Sequence, residues 1–316
     1  MTSSARIYVA GHRGLVGSAI VRALQARGFS NLLLRSREQL DLRDAAATRA
    51  FFGAERPEYV FMAAAKVGGI HANNTYPADF ISENLAIALH TITAAHDSRV
   101  RRFMFLSSSC VYPRDAAQPM REESILSGPL EYTNEAYATA KIAGMKLCDA
   151  YQRQFGDQFF SVLPTNTYGP RDNFDLQTSH VLPALVRKFV EAKTMNAPNV
   201  TLWGTGTPRR EFIHSDDLAD ACVFLMEHHS GQGHINVGVG EDLTIAELAD
   251  RIAHAVGYDG QVLYDSSKPD GPARKLLDVT RLSALGWRPR ISLDDGIART
   301  VEWYSTAAHA THAANH

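Results

Sequence analysis

Tyr137 and Lys141 stand four residues apart in Tyr137-Ala-Thr-Ala-Lys141, a stretch compatible with a helix. That spacing puts both side chains on one helix face, a turn apart. A phenol titrating near about 10 exchanges protons poorly at neutral pH, and a nearby ammonium lowers that value. The pair could therefore give a proton to, or take one from, a substrate oxygen. Upstream, an apolar run ends in Leu106-Ser107-Ser108-Ser109-Cys110, where one hydroxyl could bind the same oxygen. Nearer the start, Gly11-His12-Arg13-Gly14-Leu15-Val16-Gly17 is a GxxGxxG variant of the dinucleotide fingerprint. Glycines there let the backbone turn tightly and approach a pyrophosphate at the amide end of a following helix. Each signal alone is common; their order along one chain is far more specific.

These groups need elements to hold them. Arg6-Ile-Tyr-Val-Ala10 reads as a buried strand and Val16 to Arg27 as a one-sided helix. Asn31–Leu34, Tyr59–Ala63, Arg102–Leu106 and Phe159–Leu163 read as further strands, mostly separated by helical stretches. Continuous apolar strands with helical crossovers predict a parallel sheet covered on both faces. The glycine turn lies between the first strand and first helix, and the serines at a strand end, where open sheets bind ligands. The predicted fold class is α/β, a Rossmann-type doubly wound parallel sheet with a smaller C-terminal substrate-binding lobe. Past Pro164, Pro, Asn and Gly become frequent, with one helical insert from His180 to Thr194; Phe212–His214 and Ile235–Val237 then read as strands returning to the sheet. Thr244 to Val256, Val262 to Tyr264 and a last helix near Leu293 to Tyr304 complete the second lobe. The expected division is residues 1–175, joined by strands from about 209–240, against 176–208 and 241–316.

The composition excludes other classes. With 316 residues, 45% hydrophobic, 21% charged and a net charge of −2, the chain is an ordinary globular protein with no basic field for nucleic acid. No apolar run approaches the roughly 20 residues that span a bilayer. Met1-Thr-Ser-Ser-Ala-Arg6 lacks the basic-then-apolar pattern of a secretory signal. Cys110, Cys148 and Cys222 form neither a disulfide framework nor a metal knuckle, so a cytoplasmic protein without a metal is expected. Cys148 and Cys222, on apolar helical stretches, read as small core residues. The histidines of Ser305–His316 fit a frayed tail better than a metal site.

The cofactor can also be chosen. Proteins selecting NAD place a carboxylate at the end of the second strand, but here that strand runs into Leu34-Arg35-Ser36-Arg37. Arg35, Arg37 and Arg13 suit a 2′-phosphate, which predicts NADP(H); as ordinary surface charges, Arg35 and Arg37 would carry no such meaning.

Longer motifs carry a resemblance. Ala63-Ala-Ala-Lys-Val-Gly-Gly-Ile70, Asn73-Asn-Thr-Tyr-Pro-Ala78, Ser108-Ser-Cys-Val-Tyr-Pro113 and Pro164-Thr-Asn-Thr-Tyr-Gly-Pro170 resemble the GDP-L-fucose synthase family of extended short-chain dehydrogenases/reductases. So do Trp203-Gly-Thr-Gly-Thr-Pro-Arg-Arg-Glu-Phe212 and Ser267-Lys-Pro-Asp-Gly271, and the match runs from about Arg6 to Tyr304. The resemblance implies 3,5-epimerisation and 4-keto reduction of GDP-4-keto-6-deoxy-D-mannose with NADPH, by a homodimer. It makes Tyr137 the proton donor, Lys141 the holder of the nicotinamide ribose that also lowers the tyrosine pKa, and Ser108 the ligand of the C4 oxygen. Cys110 and His180 become the acid–base pair of the epimerisation. It also implies cofactor contacts from His12, Arg13, Leu15, Val16, Leu106, Ser107, Ser109, Pro164, Thr165, Asn166, Thr167 and His180. Substrate contacts would come from Lys188, Trp203, Arg210, Asp270 and Lys275. Two departures stand out: Gly271-Pro-Ala-Arg-Lys275 replaces Gly-Thr-Pro-Arg-Lys, and Ser107 replaces a frequent glycine.

Several readings stay open on sequence alone. Trp203 suits stacking on a ligand or packing in a core, and His180 suits local packing at a helix start. A dehydratase of this fold would carry an acid beside the serine, where this chain has Ser107, Ser109 and Cys110. A simple 4-epimerase has no need of Cys110 and His180. A catalytically silent NADP-binding scaffold is disfavoured by intact Tyr137, Lys141 and Ser108. Ser82–Ala95 and Ala136–Phe155, long and apolar on two faces, are the expected pairing helices of a dimer.

Overall fold

The computed structural model describes residues 1–268 and 270–314. The chain opens with β1 (Ile7–Ala10), α1 (Leu15–Ala26), β2 (Leu32–Leu33), α2 (Ala45–Glu55) and β3 (Tyr59–Met62). It continues through α3 (Ile70–Thr75), α4 (Pro77–Asp97), β4 (Arg102–Leu106), α5 (Glu135–Phe155), β5 (Phe159–Pro164) and β6 (Asn166–Tyr168). Next come α6 (Val181–Thr194), β7 (Asn199–Trp203), β8 (Arg209–Arg210), β9 (Phe212–His214), α7 (Ser215–His228) and β10 (His234–Val237). The last are β11 (Leu243–Thr244), α8 (Ile245–Val256), β12 (Gln261–Asp265), β13 (Arg274–Lys275), α9 (Thr280–Ala284) and α10 (Leu293–Ala314).

Six strands form one parallel sheet in the order β2-β1-β3-β4-β5-β10. Its strands are mostly apolar because both faces are covered, Arg102, Ser161, His234 and Asn236 being exceptions, and successive side chains go to opposite layers. Ile7 and Val9 join a core with Ile20 and Leu24 of α1 and Leu218 and Leu225 of α7. Tyr8 and Ala10 point the other way, to Phe52 of α2, Ile92 of α4 and Met145 of α5. A third core, around Leu185, Phe189, Leu202, Leu248, Ile252 and Ile297, unites α6, β7, α8 and α10. Helix α8 starts in a capping box in which Thr244 and Glu247 satisfy each other's backbone amides.

Several sequence expectations change. The second strand pairs only at Leu32–Leu33, at the sheet edge. Phe212–His214 does not return to the main sheet. The chain turns away after Pro164, and the departing β6 takes β9 as its parallel partner, while β10 occupies the place beside β5. Strand β7, absent from the sequence reading, alternates exposed and buried residues and pairs with β12. The last helix runs to Ala314 rather than Tyr304, through an alanine-rich stretch of high helix propensity. Residues 315–316 of the expected frayed tail lie outside the described residues. Among the described residues no helix is long and apolar enough to cross a membrane, and no group of His, Cys, Asp and Glu could hold a metal ion.

Candidate active site

Strand order reverses between β1 and β3, and the glycine turn sits at that crevice. Gly11 has φ +78°, and a Cβ on it would lie 2.9 Å from the Ala64 amide nitrogen just past β3. A Cβ on Gly17 would lie 2.1 Å from the Gly11 carbonyl oxygen, so strand, turn and helix close only around bare backbone. On Gly14 the added carbon would meet only that same oxygen, at 3.5 Å. Gly14 caps α1 without a side chain, and the first turn of α1 carries no acid. The turn thus offers an open amide-lined end to an anion. These residues fit a dinucleotide pyrophosphate. His12 beside it is held below the usual imidazole range by burial, then by Arg13 and Arg171.

The three arginines proposed for a 2′-phosphate divide. Arg35 is turned to Glu55 of α2 and lies 5.6 Å from the Phe51 ring centroid, which gives it a structural partner on each side. Arg13 and Arg37 keep 69% and 65% of their side-chain surface exposed, with loose pairings of 3.7 Å from Arg13 to Glu38 and of 3.6 and 4.0 Å from Arg37 to Glu83 and Asp41. The more exposed and more loosely paired cations are therefore Arg13 in the glycine turn and Arg37 past β2.

Tyr137 and Lys141 lie in the first two turns of α5, which presses onto β4 so closely that a Cβ on Gly144 would reach 2.4 Å from the Phe105 ring. Lys141 is buried; its Nζ donates to the Leu106 carbonyl at 2.8 Å and stands 5.7 Å from the Tyr137 ring centroid. Burial lowers its pKa to about 7. Lys141 thus donates to the carbonyl at the end of β4 rather than to the phenol itself. Burial pushes the Tyr137 phenol above its ordinary range, charge on Cys110 adds to that, and a hydrogen bond from Ser108 opposes it.

The serine run is sorted by where each side chain points. Ser107 is buried and its Oγ faces the Met145 sulfur at 3.0 Å, away from the cleft. Ser109 is buried too. Ser108 caps the short turn Ser109–Val111, accepting the Cys110 amide at 3.2 Å, and stands beside Tyr137. Cys110 is partly exposed, whereas Cys148 and Cys222 are fully buried in the core.

The second lobe supplies the opposite wall. His180 caps α6, open to the cleft yet crowded by protein, and its pKa is held below the usual value by burial and then by Lys275. Lys275 of β13 is the register partner of Arg210 on β8. Arg210, though lowered by burial, is in electrostatic contact with Cys110 and Asp270. A continuous set, His180, Lys275, Arg210, Cys110, Tyr137 and Ser108, therefore joins the lobe to the sheet. Asp270 accepts from the Thr205 amide at 3.0 Å and hydroxyl at 2.7 Å, which holds the turn after Trp203. Trp203 is 66% exposed, which settles it as a surface platform rather than a core residue. Lys188 and Lys268 lie over its ring at 5.9 and 5.8 Å. Sequence reasoning missed Lys268, although it stands in a quoted motif.

It also missed Glu211. This fully buried carboxylate accepts from the amides of Val239 at 2.6 Å, Gly240 at 2.8 Å and Leu277 at 3.0 Å. Its carbonyl takes bonds from the Asn166 amide at 2.8 Å and the Thr165 hydroxyl at 3.2 Å, while Thr167 bonds the Thr165 carbonyl. Glu211 thus ties the segment after Pro164 to Arg210 and to the segment that follows Lys275. The only hint in sequence is an acid following two arginines.

The sequence model of the NAD dependent epimerase/dehydratase family matches residues 7–238. A GDP-L-fucose synthase of Escherichia coli is 55% identical over 311 residues, covering 96% of this chain and 97% of that protein. A putative GDP-L-fucose synthase of Arabidopsis thaliana is 56% identical over 304 residues, 96% of this chain and 93% of its own. Among solved structures, a GDP-L-fucose synthetase of Naegleria fowleri bound to NADP superposes with a TM-score of 0.90 at 28% identity, over 98% of this chain and 96% of that one. The chain belongs to the NAD dependent epimerase/dehydratase family, in its GDP-L-fucose synthase branch.

Proposed function

We propose that the chain converts GDP-4-keto-6-deoxy-D-mannose to GDP-L-fucose with NADPH, by 3,5-epimerisation followed by reduction of the 4-ketone at one site. One arrangement carries this reading. The reductase group Ser108, Tyr137 and Lys141 shares its cleft with two further proton-transfer groups, Cys110 and His180, linked through Arg210 and Lys275. A plain ketoreductase has no use for that second pair.

The C4 ketone acidifies the protons on C3 and C5. Inversion needs one group to remove a proton from one face and another to return it to the opposite face. Cys110 arises from the sheet and His180 from the lobe, so the two approach from different walls. Arg210 lies within electrostatic reach of Cys110 on the same side of the cleft. The lowered pKa of His180 keeps a neutral imidazole available at physiological pH. Ser108 donates to the C4 oxygen. Tyr137, with its pKa held high, retains its proton until an alkoxide develops at C4 and then gives it up. NADPH, when bound, supplies the hydride equivalent that reduces C4. Gly11, Gly14 and Gly17 with the start of α1 would hold its pyrophosphate, and Arg13 and Arg37 its 2′-phosphate. Lys141 would take the ribose, with Leu106, the backbone of Ser107 and Ser109, and Pro164–Thr167 lining the nicotinamide side. Lys188, Trp203, Arg210, Asp270 and Lys275, joined by Lys268, face the GDP-sugar.

The same reading divides the chain into the dinucleotide-binding half and the sugar-binding lobe given above. It places the protein in the cytoplasm as a homodimer, supported by exposed Leu85 and Leu89 on α4 and Phe155 on α5. Light scattering of the parent and of Leu89→Glu tests that pairing. The reaction is tested by supplying GDP-4-keto-6-deoxy-D-mannose and NADPH in deuterated water. Nicotinamide oxidation with deuterium at both C3 and C5 of GDP-L-fucose is the expected result. Oxidation without deuterium would leave a 4-ketoreductase and remove Cys110 and His180 from the mechanism.

A further inference from the structure

The segment between β3 and α4 crosses the cleft. Gly69 caps the short helix α3, and its amide donates to the Thr178 carbonyl at 2.7 Å. Thr178 lies two residues before His180, on the opposite wall. The approach is closer than any side chain allows: a Cβ on Gly69 would stand 2.5 Å from the Ser179 carbonyl oxygen and 3.2 Å from that of Thr178. The backbone of Gly69, φ −66° and ψ −178°, is one any residue adopts. Space alone, not conformation, requires glycine there.

Both sides of this contact are braced. On the cofactor side, buried Asn73 donates its amide to the carbonyls of Gly68 at 2.6 Å and Gly69 at 3.0 Å. A Cβ on Gly68 would lie 3.1 Å from the Phe80 ring, and Phe80 meets Tyr137 edge-on with centroids 6.4 Å apart. On the lobe side, Asp175 accepts from the amides of Gln177 at 3.1 Å and Thr178 at 3.0 Å, and from the Thr178 hydroxyl at 2.9 Å. Asn173 adds a bond to that hydroxyl at 2.9 Å. The turn leading to His180 is thus a stiff unit docked on Gly69.

We infer that Gly69 is a positioning residue for the epimerisation: its contact with Thr178–Ser179 registers His180 of the lobe against Cys110 and Tyr137 of the sheet. The inference rests on the reading of His180 as an acid–base group. Any larger residue at position 69 must push Thr178 and Ser179 away through their backbone carbonyls, and His180 moves with them. A displacement of about 1 Å is enough to cost on the order of a hundredfold in a proton transfer. Tyr137 and Lys141 on α5 and Ser108 in the turn after β4 keep their geometry.

The test uses the full chain with Gly69→Ala, Asn73→Ala and His180→Gln, and two readouts. The first is deuterium entry from D2O into C3 and C5 of GDP-4-keto-6-deoxy-D-mannose without NADPH. The second is the initial rate of C4 oxidation of GDP-L-fucose by NADP+, which needs Tyr137 but no proton transfer at carbon. Gly69→Ala is expected to slow deuterium entry at least tenfold and leave C4 oxidation within threefold. Asn73→Ala, which loosens the loop without a clash, shifts the same ratio in the same direction and serves if Gly69→Ala does not fold. Unchanged exchange in Gly69→Ala, or equal loss of both rates in both loop variants, would overturn the inference. Normal exchange in His180→Gln would instead overturn the role of His180 itself.

Discussion

Three arginines near the cofactor turn look alike in sequence and differ in the structure, so replacing them separately is a sharp test. Arg13 and Arg37 are mostly exposed with loose partners, and a 2′-phosphate carries about −1.5 to −2 charges at neutral pH. A charge-assisted hydrogen bond contributes about 1.5–3 kcal/mol, and solvent exposure puts these near the lower end. At about 1.4 kcal/mol per tenfold, Arg13→Ala and Arg37→Ala should each weaken NADPH binding roughly tenfold and together roughly a hundredfold. NADH binding should hardly move. Arg35→Ala acts elsewhere. It removes a half-exposed ion pair with Glu55, about 0–1 kcal/mol, and a stacked contact on Phe51 of about 0.5–1 kcal/mol. It should lower the melting temperature by about 2–4 °C and leave the NADPH-to-NADH preference intact. Fluorescence titration of both nucleotides with a thermal melt for each variant gives the answer. Loss of NADPH preference in Arg35→Ala, or its survival in the Arg13→Ala/Arg37→Ala double variant, would refute the division.

Tyr137→Phe should slow reduction by about 10²–10⁴-fold while deuterium still enters C3 and C5; reduction at the parental rate would remove the phenol as proton donor. Cys110→Ser replaces a thiol by a far weaker acid and should cut deuterium entry on the order of a hundredfold with NADPH affinity unchanged, so normal exchange would dismiss the thiol. Asp172 gives a pH signature. Burial pushes its carboxyl up to about 7, and its Oδ2 has no hydrogen-bond partner. A raised folded-state pKa means stability is full below about pH 4 and is lost as pH rises to about 7, where the folded protein ionises as well. Asp172→Asn, which keeps the acceptor for the Asn173 amide, should therefore gain thermal stability over the parent between pH 4 and 7 and hold that gain above. A gain independent of pH would place its cause elsewhere.

What could be read in advance followed from local rules. The apolar runs at Ile7–Ala10, Tyr59–Met62, Arg102–Leu106 and Phe159–Leu163 announced strands buried on both sides, and each lies in the sheet. His180 as a helix start and Cys148 and Cys222 as core residues were equally legible. The failures lie where partners come from afar. Phe212–His214 reads as a sheet strand by composition, but strand pairing depends on which edge is free, and β10 holds that place. Glu211 is separated by 45 and 46 residues from the Asn166 and Thr165 that it serves through its carbonyl, a distance no periodicity registers.

By itself the sequence determined the chemistry on offer: a glycine turn opening a helix, a tyrosine and lysine a turn apart, a serine and cysteine at a strand end. Those choices depend on residue type and on spacing within one element, and both are written along the chain. Only the tertiary structure decided direction and company. It turned Lys141 to the Leu106 carbonyl, Arg35 to Glu55 and Ser107 to Met145, leaving Ser108, Arg13 and Arg37 to face outward. It also brought Arg210 within reach of Cys110, Lys275 beside Arg210 and within reach of His180, and Gly69 against Thr178. The physical reason is that hydrogen bonds and charge–charge contacts act over a few ångströms, and the fold, not sequence distance, sets which groups come that near.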